Sequence, residues 1–412
     1  MNLTILSRFA KQMISHVQSQ RSIFVYPFLV FTLAVAYLGA GLFGFQFAIL
    51  HENVTLVWGA SAVALAALLL GGMRLWPGVA LGAFLVNIAT GIPLPVVFLI
   101  SLGNTLGILL ATYLLRHVFP IHLNFDRIAD VLIFVLAGMI VSSLVSSTIG
   151  VISLSVSYTT ASVNIPYLWL EWMMGDTLGI LVLTPLILLW WNDRTLSKNL
   201  FRWIEFAFLS FCVVLVSFII FQRNIWSREG YPLAYLVIPF ILWAAFRFGM
   251  RGVASISFMS ALIAIGGVSQ QLNVVSYADI HQDLVYLWSF VTLITICTMV
   301  LAVAITGRQR IEHELARERD YIAQIINTMV QGVAVTDLDG RFEYVNPAYA
   351  EMIGHTPQEL IGKIPKTVLS QDDRAIVTNS ALRMTSDFRT VYETRFVREG
   401  KEPIDVLVNG SL

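Results

Sequence analysis

Residues 283–329 read DLVYLWSFVTLITICTMVLAVAITGRQRIEHELARERDYIAQIINTM, and no proline interrupts them. Asp283 to Ile305 is an apolar run of 23 residues, which at a rise of about 1.5 Å each covers a hydrocarbon core of roughly 30 Å. One helix is therefore predicted to cross a membrane and continue beyond it as a charged helix. Past Gly307, the residues Ile311, Leu315, Ile322, Ile325 and Met329 follow at steps of four, seven, three and four, with Glu318 on the same seam. That spacing fits alternating a and d positions of a heptad, and such a stripe suits a parallel homodimer. Two heptads are short, so an ordinary amphipathic linker helix is the plainer reading.

What flanks this helix is uneven. Hydrophobic residues make up 57% of the chain and charged residues 13%, a balance that excludes an ordinary soluble protein. Apolar segments fill residues 23–306, whereas most acidic side chains follow Glu312. Four regions result: a 1–22 lead-in segment, a 23–306 membrane domain, a 307–329 signalling helix and a 330–412 C-terminal domain. Lys plus Arg equals Asp plus Glu at 26 each, so net charge gives no reason to expect nucleic acid, and lipid is the expected surrounding. Cys212 and Cys297 both lie in apolar segments, which leaves neither a disulfide framework nor a thiolate metal site. No metal-ligand cluster is expected.

Apolar segments fall at about 23–50, 54–72, 75–92, 94–117, 127–155, 165–192, 203–221, 233–248, 251–270 and 283–306. The expected fold class is a polytopic α-helical membrane domain of about ten spans, with eight plus re-entrant pieces as the alternative. Ten spans would collect Arg74, Arg116, Arg127, Arg194, Lys198, Arg202, Arg247 and Arg251 on one side. Only Arg223 and Arg228, with His51, Glu52, Asp279, His281 and Asp283, would lie on the other. By the positive-inside rule both termini are then cytoplasmic.

Polar residues at membrane depth are costly, which makes them functional candidates. Glu171 and Asp176 form the acidic pair of YLWLEWMMGDTLGILVLTPLILLWW. Five residues apart on a helix they point in different directions, so they are not expected to act as one paired carboxylate. Glu171 reads either as a solvated interfacial carboxylate or as a ligand contact; Asp176, deeper, reads as a buried structural or ligand contact. Asn87 and Asn104 suit interhelical hydrogen bonds or the same pocket. Trp58, Trp76, Trp169, Trp172, Trp190 and Trp191 fit an aromatic belt, and Trp172 is also a candidate to line that pocket.

The pieces LGGMRLWPGVALGAFLVNI, ISLGNTLGILLATYLLR, DVLIFVLAGMIVSSLVSSTIGVISL and WLEWMMGDTLGILVLTPLILLW, in that order, resemble the bacterial membrane-associated sensor domain MASE1 over roughly residues 25–310. The resemblance is most specific at Arg74–Gly78, Asn104 and Trp172–Gly179. It implies a membrane input module of sensor histidine kinases and of cyclic di-GMP synthases and phosphodiesterases, usually with about eight spans, and an undefined small-molecule stimulus. At Val57–Ala60 the sequence VWGA stands where the family has tryptophan followed by prolines, which removes the residues that would break a helix there.

After the signalling helix the pattern changes to GVAVTDLDG, RFEYVNPAYAEMIGH, TPQELIGK, TVYETRFVREG and PIDVLVNGSL. Val333 and Val335 alternate with polar neighbours before an Asp339–Gly340 turn, and Phe342 and Tyr344 continue a second strand. Asn346 is placed to cap a helix that opens on Pro347, and Thr356, Pro357 and Glu359 open another. This order, with Gly354 closing NPAYAEMIG, is similar to an α/β PAS domain: strands A and B, helices C to F, strands G and H. The fifth strand and exit motif of that fold are not found before Leu412, so a further output domain is expected beyond it.

No cofactor is identified. Flavin–cysteine photochemistry is excluded because no cysteine follows Cys297, and His355 reads as a surface-turn histidine. Phosphate loops, zinc-protease motifs, hydrolase triads and cyclic di-GMP catalytic motifs are absent from these residues, and His313, in H-E-L, reads as a solvated heptad position. The chain itself is expected to sense, with the resemblance favouring a cyclic di-GMP output over a histidine kinase. A transporter regulated by its PAS domain is the reading from another class; no clear internal repeat supports it.

Overall fold

Backbone polar groups inside a bilayer must be satisfied within the segment that crosses it, so apolar segments of this length are driven to helix. The computed structural model describes residues 25–46, 48–51, 54–156, 164–192, 199–222, 235–271, 277–337, 339, 341–364, 389–396 and 402–411, and all ten expected apolar segments carry helix. The lead-in at 1–22, Arg194, Lys198, Arg223, Arg228 and Glu52 lie outside the described residues, as do the side chains of His51, Asp279, His281 and Asp283. The chain divides into two units, Met1–Gln309 and Arg310–Leu412.

In the first unit, α1 (Val25–Phe45) leads into a short antiparallel hairpin of β1 (Ala48–His51) and β2 (Val54–Thr55). Then come α2 (Gly59–Gly71), α3 (Trp76–Ile88), α4 (Leu94–Tyr113), α5 (Ile128–Ile133), a π-helical stretch Phe134–Ile140, α6 (Val141–Val156) and α7 (Ile165–Asn192). The unit closes with α8 (Leu200–Gln222), α9 (Ile238–Gln271) and the start of α10 (Tyr277–Thr328). Helices α4 and α6, α2 and α7, and α8 and α9 pack as neighbours.

Among the described residues seven helices are long and apolar enough to cross a membrane: Val25–Phe45, Leu94–Val118, Ile128–Val156, Ile165–Trp191, Leu200–Phe221, Tyr235–Gly267 and Leu284–Thr328. The expected ten becomes about seven for two reasons. With 13 residues each, α2 and α3 are about 20 Å long, short of the roughly 30 Å core. The segments expected at 233–248 and 251–270 fall together in α9. They form two limbs, because α9 breaks at Gly249 (φ 61°, ψ −149°), and only the second, residues 250–271, has the length to cross by itself. A Cβ on Gly252 would stand 2.9 Å from Ala244 O, eight positions earlier; along a straight helix that span is about 12 Å.

The same device ends α2, where Gly72 has φ 96° and ψ 156° and is followed by Met73 and Arg74, as Gly249 is followed by Met250 and Arg251. Only glycine occupies this region of backbone space readily. Two helix breaks thus fall at a Gly-Met-Arg sequence. A break also stands at Val57–Ala60 without the family's prolines. Instead, the Trp58 amide donates to Gly175 O at 2.9 Å, and α2 begins at the next residue. Gly175 and Gly179 of α7 make this approach possible, since a methyl group on either would overlap Thr55 O or Trp58 O.

In the second unit, β3 (Ala334–Thr336) pairs antiparallel with β4 (Phe342–Val345), and β5 (Arg389–Phe396) with β6 (Ile404–Ser411). Between them lie α11 (Pro347–Ile353) and α12 (Pro357–Leu360). These match expected strands A, B, G and H and the first helices; the region of the remaining helices is outside the described residues. Phe342, Val345, Ala350, Ile353 and Leu360 form the core, with Ala334, Tyr349, Ile404 and Val406 against it. On β3 it is Ala334, not Val335, that meets this core, and Val335 is exposed.

Candidate functional site

Asp176, midway along α7, is 1% exposed. The Ser61 hydroxyl of α2 donates to its Oδ1 at 2.7 Å. The Ser146 hydroxyl of α6 also neighbours Asp176, but its proton is directed to Asn104 Oδ1 of α4, 2.8 Å away. Asn104 Nδ2 in turn donates to the Tyr37 hydroxyl of α1 at 3.4 Å. Side chains from α1, α2, α4, α6 and α7 therefore meet in one buried polar cluster, and in it Asp176 Oδ2 receives no hydrogen bond.

The next residue connects this cluster to the long helix. Trp288 Nε1 of α10 donates to Thr177 Oγ1 at 2.8 Å, and Thr177 donates to Met174 O at 2.9 Å. Two adjacent residues of α7 thus face, respectively, the polar cluster and α10.

Of the expected membrane site residues, Asp176 and Asn104 belong to this cluster and the others do not. Asn87 is buried, but its Nδ2 donates to Ala83 O of its own helix at 2.8 Å, and Thr90 Oγ1 donates to Asn87 O near the end of α3. It serves its own helix end. Glu171, expected as solvated or in the pocket, is buried at 9% exposure and lies apart from Asp176, as their five-residue spacing requires. Trp172 lies over Gly150 of α6 and packs with Val96, Ile100, Val151, Leu154 and Leu168. It fills an apolar contact between α4, α6 and α7 instead of lining the polar cluster.

Trp169 is likewise engaged, donating to Thr148 Oγ1 at 3.1 Å and lining an open apolar groove of about 480 Å³ with Val151, Ile152, Ile165, Pro166 and Leu170. Trp76, Trp190 and Trp191 are exposed, as belt residues would be, whereas Trp58 is partly buried against Phe45. Tyr37, Ser61, Ser146, Thr177 and Trp288 were not expected in the site. The serine pairs of VSSLVSS on α6 were the available signal, because hydroxyls at that spacing give a helix one polar face. Among the described residues no cluster of three or more His, Cys, Asp or Glu is suited to a metal ion.

In the second unit Asn346 is fully buried. Its Oδ1 accepts from the amides of Tyr349 and Val333, both at 2.8 Å, and its Nδ2 donates to Ile326 O at 3.0 Å and Gln331 O at 2.9 Å. Pro347 takes the first helical position and Gly354 closes α11 in the left-handed region, φ 82°, as their residue types require. Thr356 and Glu359 form a capping box, and His355 lies beside Glu359 at 3.4 Å. The seam residues Ile311, Leu315, Ile322 and Ile325 of α10, and Met329 just after its end, are all exposed.

A family model for MASE1 matches residues 28–310, more than half of the chain. The chain belongs to the MASE1 family. A model of the PAS fold matches residues 320–412, in the domain order the sequence implies. No curated protein and no solved structure matches the chain. A MASE1 domain followed by a PAS domain makes this a multi-pass membrane sensor module.

Proposed function

We propose that the MASE1 domain receives a stimulus in the membrane and passes it along α10, through a parallel pair of these helices, to the PAS domain and an effector. The observation that carries this reading is α10 itself. One helix, Tyr277–Thr328, bonds through Trp288 to Thr177 of α7, the residue next to Asp176 of the buried cluster, and then presents an exposed heptad stripe. The stimulus is proposed to be a small molecule or ion, the membrane a bacterial inner membrane, and both termini cytoplasmic. Asp176 and Asn104 are the side chains proposed to respond. The effector class, synthesis or hydrolysis of cyclic di-GMP over histidine phosphorylation, follows from the family resemblance.

The test is a double-mutant cycle on the product of the parent reading frame in native membrane vesicles, read as cyclic di-GMP turnover. Asp176→Ala should change the rate when α10 is intact and leave it unchanged when Ala316→Pro has broken the helix. Equal effects in both backgrounds would show that α10 does not carry the signal. A kinase domain downstream of Leu412 would keep the sensory reading and replace the effector class.

A further inference from the structure

We propose that the Asp176 cluster is a binding site for one monovalent cation, a proton or an alkali ion, whose occupancy is read by α10 through Thr177 and Trp288. The second half rests on the sensory reading above; the first does not. Asp176 is 1% exposed and its Oδ2 receives no hydrogen bond. Among the described residues no Arg, Lys or His is ion-paired with it. At membrane depth, a buried carboxylate that shares the Ser146 hydroxyl with Asn104 and has no cation beside it is stabilised by a compensating positive charge or by becoming neutral.

The surrounding atoms specify that charge. Asp176 Oδ1 and Oδ2, Ser61 Oγ, Ser146 Oγ, Asn104 Oδ1 and Tyr37 OH are all oxygen, with one carboxylate among them. Hard oxygen donors carrying a single negative charge suit a proton or alkali ion and not a soft transition metal. The titratable group facing Asp176 is Tyr37 of α1. Neither α2, α4, α6, β2 nor the π-helical stretch contributes an acidic or basic side chain. On α9 the basic residues are Arg247, paired with Glu205, and Arg251, while α7 itself adds Tyr167 and Glu171, and the membrane half of α10 adds Tyr277, Asp279, His281, Asp283, Tyr286 and Cys297.

Loading has a mechanical consequence. A proton adds to an Oδ2 lone pair, coming from bulk water and returning to it, with no change of oxidation state; an alkali ion would instead draw in the neighbouring oxygens. An unloaded carboxylate recruits the Ser146 proton, and a loaded one leaves that proton with Asn104. Each change alters the hydrogen bonding between α4, α6 and α7 one residue from the Trp288 contact.

The experiment uses the full chain in lipid nanodiscs, following tryptophan emission as the difference from Trp288→Phe. One arm titrates pH with choline chloride as the only salt; another titrates NaCl, LiCl and KCl at fixed pH against choline chloride. A transition present in wild type and absent in Asp176→Asn is expected, with Ser61→Ala tightening proton binding about tenfold through loss of a donor to the charged form, or weakening alkali-ion binding through loss of a ligand oxygen. A protonated-carboxyl infrared band lost in Asp176→Asn assigns the proton, and saturable sodium or lithium binding in competition with protons assigns the alkali ion. Identical infrared and ion-binding titrations in wild type and Asp176→Asn, or an ionised carboxylate throughout with no alkali response, would overturn the site. Infrared binding without any Trp288 difference would overturn the readout. Titration intact with no coupling in the Ala316→Pro cycle refutes the sensory reading and leaves the site standing, and the reverse pattern does the opposite.

Discussion

The Asn346 side-chain amide donates to the carbonyl of Ile326, 3.0 Å away, in the last turn of α10. The same amide donates to Gln331 O, and its oxygen accepts from Val333 and Tyr349, so one side chain closes α10, opens α11 and holds the entry to β3. All four bonding positions of the amide are thereby used, in a residue with no solvent exposure. Removing it leaves donors and acceptors unmet on both sides.

Asn346→Ala should therefore destabilise the PAS unit by about 2–4 kcal/mol, adding a lost helix cap to unsatisfied backbone groups. Hydrogen exchange in β3, β4 and α11 under increasing denaturant measures this. Asn346→Asp keeps the two accepted bonds but places a carboxylate against two carbonyls, so it should not restore stability. Wild-type protection in Asn346→Ala would refute the role.

The Asn104 bridge gives a second prediction. Asn104→Leu cuts both the Ser146 and Tyr37 contacts, and interhelical hydrogen bonds within membranes are worth about 0.6 to 1.7 kcal/mol. A loss of roughly 1 kcal/mol in thermal or steric-trapping unfolding of the full chain is expected. Asn87→Leu removes only a bond within α3 and should leave the pairing of α4 with α6 unchanged, as judged by cysteine cross-linking between them.

At Gly249 the backbone lies at φ 61° and ψ −149°. Gly249→Val should destabilise by about 1–3 kcal/mol, because a β-branched residue is strained there. Gly39 makes the control: it is helical, with nothing within 4 Å of a Cβ. Gly39→Ala should be neutral or stabilising by up to about 1 kcal/mol. Melting temperatures of the two variants in one detergent decide the comparison.

Acid should weaken the PAS unit through two carboxylates. Glu359 is held below its ordinary value of 4.5 by the Thr356 amide and then by His355, and Asp405 below 3.8 by Arg395 across the β5–β6 pair. Lowered folded-state values mean that these groups contribute stability above those ordinary values and lose it as pH falls through the folded ones. Denaturation midpoints should therefore drop below about pH 4.5, and Glu359→Gln should flatten its share of the slope. An unchanged slope in that variant would remove the capping carboxylate as a cause.

The exposed seam of α10 predicts contacts between copies. Leu315→Cys and Ile322→Cys should form disulfide-linked dimers in oxidised membranes, and Asp320→Cys, on the opposite side of the heptad, should not. Equal cross-linking at all three would argue against a parallel pair.

The sequence by itself determined what acts over a few residues. Apolar runs had to become helices because unmet backbone groups are too costly in hydrocarbon. Asn346–Pro347 and Thr356–Glu359 had to start helices because their side chains reach the next turn, and both do. Only the tertiary structure decided which intramembrane polar residues meet. Ser61 reaches Asp176 across 115 positions and Trp288 reaches Thr177 across 111, whereas Glu171, five residues away on the same helix, stays apart. The physical reason is that helices apolar on nearly every side carry no stripe to fix their rotation. Their facing residues are set by close packing, as at Gly175 and Gly179 against Thr55 and Trp58, and no periodicity along one segment encodes its neighbour's register.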